Sequence, residues 1–243
     1  MPYSLLLSIY FLLLCPLANN TVAPKKSKIS KGNSEKRILS PSNTSLMAIS
    51  VYKNLRADPF ELPNFESFEM ALKGYMVLKE KGIAKKEILT LIDFSLSANS
   101  KRLWVIDLAK NVILFHSLVA HGKNTGEEYA SHFSNRDSSF QSSLGFYSTG
   151  EIYSGKHGLS LKLDGLESGI NSNARKRAIV LHGAAYVSDE FIQQNKRLGR
   201  SLGCPALPNN LNRAIITAIK EQSILFIYHP SRKKRDNNAL FAS

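Results

Sequence analysis

From residue 91 onward, short apolar runs alternate with turn residues, and this pattern limits the chain to a mainly β fold. The clearest pair is 102–108 and 112–122, two runs rich in Val, Ile, Leu and aromatic residues that are separated by Ala-Lys-Asn. Such a pair predicts a β-hairpin. Other strands are predicted at 91–96, 160–163, 177–182 and 223–228. We therefore expect a mainly antiparallel β domain with short helices.

Helical spacing of apolar residues appears mainly outside these runs. A helix is predicted over 64–81, where Pro63 and Asn64 mark its start and Gly82 its end. Shorter helices are predicted at 85–91, 188–192 and 211–221. Residues 122–150 are polar and rich in Gly, Ser and Asn, which predicts a long loop that could close over a substrate.

Both ends of the chain are basic. The formal net charge is +13, and much of it lies in Lys and Arg clusters near the two ends. Such clusters are typical of solvated arms, and they can also contact an anionic cell-wall polymer or a membrane surface. No aromatic-and-basic pattern of a nucleic-acid reader accompanies them, so we expect no nucleic-acid partner.

These features predict a division of the chain into five segments. The segments are a signal peptide at 1–18, a basic disordered linker at 19–60, a helical lead-in at 61–92, a catalytic domain at 93–230 and a loose basic tail at 231–243.

The apolar run at 5–17 is too short to span a bilayer and predicts a secretory signal peptide, although no Lys or Arg precedes it. A lipid anchor at Cys15 and an uncleaved anchor are the alternatives. We expect a periplasmic or secreted protein. The chain has 2 cysteines, so removal of the leader would leave Cys204 as a single, unpaired thiol.

Cys204 and His182 are the candidate reactive pair. Cys204 lies in the turn-forming string Ser-Leu-Gly-Cys-Pro ahead of the helix predicted at 211–221, where backbone N–H groups are available to a developing oxyanion. His182 ends a β-branched apolar strand. A thiol and an imidazole together are what nucleophilic catalysis requires. A buried core cysteine and a hydrogen-bonded core histidine would nevertheless give the same sequence pattern.

Other chemistries lack their motifs. The chain has 6 histidines but no His-x-x-x-His or Cys-x-x-Cys pair, which disfavours zinc. A Gly-x-Gly-x-x-Gly string and a phosphate-binding glycine loop are also absent from the sequence. We therefore expect no metal and no organic cofactor.

The chain resembles the murein L,D-transpeptidase catalytic domain family, also called YkuD-like. The family signature is a His-Gly pair followed, after a spacer, by a Ser-His-Gly-Cys type string. The matching residues are His182-Gly183 and Ser201-Leu202-Gly203-Cys204. Further segments resemble one branch of the family: Val119-Ala120-His121-Gly122, Phe133-Ser134-Asn135, Ser142-Ser143-Leu144-Gly145-Phe146-Tyr147, Gly155-Lys156-His157-Gly158 and Gly203-Cys204-Pro205-Ala206.

This resemblance implies a β-sandwich-like fold and a reaction on the stem peptides of peptidoglycan. Cys204 would attack the carbonyl that links meso-diaminopimelate to D-alanine and would form a thioester. An amine of another stem would then give a 3-3 cross-link, whereas water would give L,D-carboxypeptidase activity. His182 would be the base, and the Gly183 carbonyl would orient its imidazole.

The resemblance also implies how substrate is bound. The oxyanion hole would come from backbone N–H groups of Leu202, Gly203 and Cys204. Arg200 and Ser201 would line the substrate side, and Arg200 would meet a carboxylate.

Leu202 departs from the family, because many members carry a histidine at this position. The task of that histidine is either absent here or performed by another residue, for which His157 is the candidate. This departure keeps open an inactive peptidoglycan-binding module of the same fold. A cysteine peptidase that acts on protein substrates is a third reading.

Overall fold

The computed structural model of this chain describes residues 41–234. The predicted signal peptide, the first part of the predicted linker, the end of the predicted tail and the alternative of a lipid anchor at Cys15 lie outside the described residues. Over 41–234, no helix has both the length and the apolar character needed to cross a membrane.

Helices and strands are interspersed along the described chain. The helices are α1 (Pro41–Lys53), α2 (Phe65–Glu80), α3 (Asp189–Asn195) and α4 (Asn209–Ile219), with a final 3-10 turn at Pro230–Lys234. The strands are β1 (Ile88–Asp93), β2 (Leu103–Asp107), β3 (Val112–Ser117), β4 (Gly145–Gly155), β5 (Gly158–Gly165), β6 (Val180–Gly183), β7 (Ala206–Leu207) and β8 (Ile224–Tyr228).

The strands form one 8-stranded sheet in the order β3-β2-β1-β8-β4-β5-β6-β7. Neighbours are antiparallel except for β1 with β8 and β6 with β7, which are parallel. Beyond β3, Ala120 forms an antiparallel bridge with Ala206 of β7. The chain that leaves one edge of the sheet therefore meets the opposite edge, and the sheet curls on itself. This confirms the mainly β, sandwich-like fold with short helices.

Both faces of the sheet are buried, and side chains alternate between them. In β8, Ile224 and Phe226 pack in a core that includes α1 and α2, whereas Leu225 and Ile227 pack in a core that includes α4. A strand that lies between two cores has no solvated face. This explains the uninterrupted apolar run at 224–228.

Helix α1 corrects the prediction of a disordered linker over 19–60 for its described residues, 41–53. Ala48 of this helix is buried in the core beside α2. The ring of Tyr52 lies 5.2 Å from that of Phe65 and 5.3 Å from that of Phe68, measured between centroids. The helix depends on this packing, because its polar first turn and irregular apolar spacing give little helical signal of their own.

Helix α2 confirms the helix predicted at 64–81. Asn64 caps its start, because its Oδ1 accepts a hydrogen bond from the Glu66 N–H at 2.9 Å. The helix predicted at 85–91 is wrong, since β1 begins at Ile88 and is paired on both sides, with β2 and with β8. Helix α2 and β1 contribute to one core, so the predicted lead-in and catalytic domain are packed together.

Strand β4 corrects the prediction of a single loop over 122–150. It begins at Gly145 and pairs with β8 on one side and with β5 on the other. Its alternating pattern is hidden in the sequence because Ser, Thr, Glu and Gly occupy much of the strand. The pairing partners, rather than the local sequence, make this segment a strand.

The 3-10 turn corrects the prediction of a loose tail over 231–243 for its described residues, 231–234. Arg232 is 2% exposed and donates from Nη2 to Oε2 of Glu167, itself 4% exposed, at 2.5 Å. Its guanidinium also lies 5.2 Å from the centroid of the Phe226 ring. An arginine that the sequence places in a solvated basic run is thus part of a buried ion pair.

We predict that Arg232→Met lowers the free energy of unfolding by roughly 3–5 kcal/mol, because it leaves the Glu167 carboxylate buried without its charge partner. The measurement is chemical denaturation. The matched control is Arg175→Met, which breaks ion pairs with Glu151 and Asp164 at the surface. That change should cost less than about 1 kcal/mol. Equal losses in the two variants would contradict a structural role for the buried pair.

Candidate active site

His182 lies in β6 and is held in one orientation. It is 2% exposed, and its Nδ1 lies 2.9 Å from the Gly183 carbonyl oxygen. A carbonyl only accepts, so Nδ1 carries the proton and Nε2 is left as the basic nitrogen. No other residue of 41–234 forms a hydrogen bond to Nε2. The histidine is therefore prepared to take a proton from a group placed beside that nitrogen.

Cys204 lies on the chain segment next to β6. The parallel pairing of β6 with β7 places His182 opposite Ala206, shortly after Cys204 in sequence. The Val180 N–H points at the sulfur, 3.5 Å from Sγ, and the thiol is directed to the Ala178 carbonyl at 3.7 Å. Within 41–234 these two groups are the hydrogen-bond partners of the sulfur, and the imidazole is not one of them. The sheet thus brings the predicted pair to adjacent segments, with the thiol turned toward Ala178.

The electrostatics of the pair favour two neutral groups. Burial raises the pKa of the Cys204 thiol, and the Val180 N–H, Arg177 and Lys156 offset this only in part. Burial also lowers the pKa of His182, the Gly183 carbonyl works against that shift, and the charges of His157 and Lys156 add to it. A neutral thiol beside a neutral imidazole requires the base to remove the proton during the reaction.

His157 is brought onto His182 by the β4–β5 hairpin. Gly155 pairs with Gly158, so Lys156 and His157 form the turn. The rings of His157 and His182 are stacked, with centroids 4.3 Å apart and planes 21° from parallel. His157, the candidate for the task of the missing family histidine, therefore lies against His182, the predicted base, although the two are 25 positions apart in sequence. The hairpin could not be predicted, because β4 was not.

The turn that carries Cys204 is held by Ser201. Its hydroxyl donates to the Cys204 carbonyl at 2.6 Å and accepts the Gly203 N–H at 3.0 Å. Gly203 adopts φ +125°, and a Cβ there would lie 3.0 Å from the Gln141 carbonyl oxygen. Ser201 is buried. Ser201, predicted to line the substrate side, is thus buried within the turn, and the Gly203 N–H, a predicted oxyanion donor, is bonded there to Ser201.

The remaining predicted oxyanion donors are the backbone N–H groups of Leu202 and Cys204. In the described part of the chain, neither donates to a protein acceptor. Leu202, two residues before Cys204, is 56% exposed. This exposed apolar surface lies where many family members carry a histidine.

Arg200, predicted to meet a carboxylate of the substrate, is paired in the structure with a carboxylate of the protein. Its Nη1 donates to Oε1 of Glu127 at 2.7 Å, to the Gly126 carbonyl at 3.0 Å and to the Lys123 carbonyl at 3.1 Å. The guanidinium thus joins the 122–144 loop to the segment that precedes Cys204.

Arg177 is a site residue that sequence reasoning missed. It donates to the Ser134 and Gln141 carbonyls, at 2.7 and 2.6 Å, and to the Ser143 hydroxyl at 2.6 Å. The positive charge of Arg177 offsets part of the rise that burial causes in the pKa of the Cys204 thiol. No sequence pattern marks this residue, since the loop that it holds is distant in the chain.

A metal centre has no ligand set in this part of the chain. Across 41–234, His, Cys, Asp and Glu side chains form no group of three or more that could hold a metal ion.

A family model for the L,D-transpeptidase catalytic domain matches residues 61–228. The match covers more than half of the chain, which therefore belongs to the L,D-transpeptidase catalytic domain family, a family of enzymes. It begins before the border predicted at 92/93 and includes α2. No curated protein matches the chain in sequence.

Several solved L,D-transpeptidases are similar to this chain at low identity. One from Mycobacterium smegmatis is 11% identical, with 59% of each chain covered and a TM-score of 0.36. One from Stackebrandtia nassauensis is 12% identical, with 67% of this chain and 66% of that chain covered and a TM-score of 0.36. A third, in complex with imipenem, is 10% identical, with 58% and 59% covered and a TM-score of 0.36. This chain thus spans 59% of the length of the first of these.

We predict that iodoacetamide alkylates native Cys204 slowly at about pH 7, with a rate that rises through and beyond pH 8.5, the ordinary thiol value. The reason is that burial raises the pKa of Cys204 and thiolate is the reacting form. Intact-protein mass spectrometry at a series of pH values measures the rate. His182→Ala should leave the midpoint in place, because burial is the main cause. A plateau below about pH 7 that His182→Ala abolishes would show an ion pair instead.

Proposed function

We propose that this protein is a cysteine acyltransferase of peptidoglycan, an L,D-transpeptidase that forms 3-3 cross-links through a thioester on Cys204. The observation that carries the proposal is the β6–β7 pairing, which places Cys204 beside Val180 and His182 opposite Ala206. Family membership supports the reaction type. The orientation of His182 by the Gly183 carbonyl supports its assignment as the base.

In the acylation step, the thiol rotates from Ala178 and gives its proton to Nε2 of His182. The sulfur attacks the carbonyl between meso-diaminopimelate and D-alanine. The oxyanion that forms is stabilised by the Leu202 and Cys204 N–H groups. The C–N bond then breaks, the protonated imidazole gives its proton to the departing D-alanine amine, and a thioester remains.

In the second step, an amine of a neighbouring stem attacks the thioester and loses its proton to His182. The thiolate leaves and is protonated again, so the enzyme is restored. Arg177 supports both steps, because its charge lies near the sulfur when the sulfur is anionic. His157, stacked on His182, forms part of the substrate side of the site and limits the access of water to the base.

Two other functions have observations in their favour. Water in place of the amine would make the protein an L,D-carboxypeptidase of tetrapeptide stems, and the exposed site at Leu202 favours it. A peptidoglycan-binding module without activity is favoured by the resting thiol, which is not bonded to His182. A cysteine peptidase on protein substrates would use the same residues.

We propose that the protein works outside the cytoplasm, in the periplasm or as a secreted enzyme, after cleavage of the leader at 1–18. The basic residues near both ends would contact anionic envelope polymers or the membrane surface, and nucleic acid would not be a partner. No organic cofactor or metal takes part in the proposed steps.

We predict that a carbapenem forms a covalent adduct with the wild-type protein and that Cys204→Ala abolishes it, because the sulfur is the acylated atom. Peptide mapping by mass spectrometry locates the adduct and separates Cys204 from Cys15. A persistent adduct on the Cys204→Ala variant would contradict the assignment of Cys204 as the nucleophile.

His182→Ala provides the control for the base. It should slow adduct formation by about 10²–10⁴-fold with a retained thermal unfolding transition. Near-normal acylation would remove His182 from the base role. Iodoacetamide alkylation, which needs no base from the protein, should be little changed in the same variant.

The products distinguish the candidate functions. We predict that expression of the wild-type protein in a bacterium with tetrapeptide stems produces 3-3 dimers and that Cys204→Ala produces none. Muropeptides are measured by liquid chromatography and mass spectrometry. Tripeptides formed from tetrapeptides without dimers would show a carboxypeptidase. Unchanged muropeptides in both strains, with both proteins present in the envelope fraction, would overturn the proposal.

A further inference from the structure

We propose that His121 is a positioning residue for the nucleophile turn, and that it acts through the Gly126 carbonyl, which it shares with Arg200. The inference rests on the proposed function, because it concerns the acylation of Cys204. His121 belongs to the Val-Ala-His-Gly segment, and its imidazole has no part in the proposed acylation steps.

The His121 side chain is fixed by a buried arginine. Arg102 and His121 are both 0% exposed. Nη2 of Arg102 donates to Nδ1 of His121 at 2.8 Å, and Nε and Nη2 donate to the Val119 carbonyl at 3.2 and 3.0 Å. A guanidinium only donates, so Nδ1 accepts and the proton lies on Nε2. Burial, followed by the charge of Arg102, holds the pKa of His121 at about 4, which keeps this one neutral form at physiological pH.

The N–H at Nε2 of His121 donates a hydrogen bond to the loop beside the candidate active site. Nε2 of His121 lies 3.2 Å from the Gly126 carbonyl oxygen. The same carbonyl accepts from Nη1 of Arg200 at 3.0 Å. We call these three residues, His121, Gly126 and Arg200, the Gly126 junction. It ties the buried Arg102–His121 pair to the residue just before Ser201.

The backbone beside the junction holds the nucleophile turn directly. The Ser201 N–H donates to the His121 carbonyl at 2.9 Å, and the Lys123 N–H donates to the Ser201 carbonyl at 2.8 Å. Ser201 in turn bonds the Cys204 carbonyl through its hydroxyl. A shift of His121 is therefore passed to Cys204 through two hydrogen bonds.

The segment at 121–122 packs closely against the turn that carries Cys204. A Cβ on Gly122 would lie 2.9 Å from Cα of Gly203 and 2.5 Å from the Phe140 carbonyl oxygen. The Gly122 N–H donates to the Ser142 hydroxyl at 3.0 Å, and that hydroxyl donates to the Gly203 carbonyl at 3.0 Å. The backbone of the 121–122 segment thus fixes the peptide groups that lie next to the sulfur.

Two substitutions separate positioning from simple stability. His121→Gln keeps a donor where Nε2 lies and loses the acceptor for Arg102. His121→Asn keeps an acceptor where Nδ1 lies and loses the donor to Gly126. Each removes one hydrogen bond at the same buried site, so similar decreases in Tm are expected. Only His121→Asn breaks the Gly126 junction.

The experiment measures carbapenem acylation of Cys204 in the full chain by mass spectrometry, with rate constants at saturating and at low carbapenem. His121→Asn should slow the saturating rate by about 10- to 100-fold without weakening initial binding, and His121→Gln should stay within about threefold of wild type. Alkylation by iodoacetamide, which needs no aligned oxyanion donors, should change little in either variant.

Equal slowing in the two variants would overturn the inference and leave His121 a structural residue. A wild-type protein that forms no adduct would refute the proposed function, and this inference with it. If His121→Asn does not fold, Arg200→Met tests the junction from its other side and should slow the same step. Unchanged acylation in Arg200→Met would also overturn the inference. In the variant that combines His121→Asn with Arg200→Met, the two reductions of the acylation rate should be less than additive, because both changes act on the Gly126 carbonyl.

Discussion

The short parallel pairing of β6 with β7 is the contact on which the site depends. It pairs His182 with Ala206 and Gly183 with Leu207, and it places the segment that carries Cys204 along β6. The edge of the sheet is reinforced there by the bridge from Ala120 to Ala206. Cys204 and His182 are thus positioned by backbone hydrogen bonds, and the turn that carries Cys204 is then fixed by the Ser201 hydroxyl and by the Arg200 guanidinium.

Burial on both faces of the sheet gives the site a rigid support. The central strands β1 and β8 place side chains in two separate cores, so a change in their register would move apolar residues out of both. The same burial determines the chemistry of the site. Burial at Cys204 and His182 disfavours the charged forms of both side chains and favours a neutral thiol and a neutral imidazole.

Sequence patterns predict the elements whose side chains specify them locally. The apolar runs that became β2, β3 and β8, the helix α2 and the pair of His182 with Cys204 are of this kind. Helix α1 and strand β4 could not be predicted, because their polar residues give no periodic signal and their partners are distant in sequence. The resemblance assigns Arg200 and Ser201 to the substrate side, yet the Arg200 guanidinium bonds the 122–144 loop and the Ser201 hydroxyl bonds its own turn, contacts that no local pattern predicts.

The position of β8 in the sheet has a consequence for the order in which the protein is made. The strands that precede it form two groups, β3-β2-β1 and β4-β5-β6-β7, and β8 lies between them. A ribosome must therefore release the segment through Tyr228 before β8 can pair with β1 and β4, and these contacts close long stretches of chain. The sheet that supports the Cys204 and His182 segments is consequently completed only after nearly the whole domain has been synthesised.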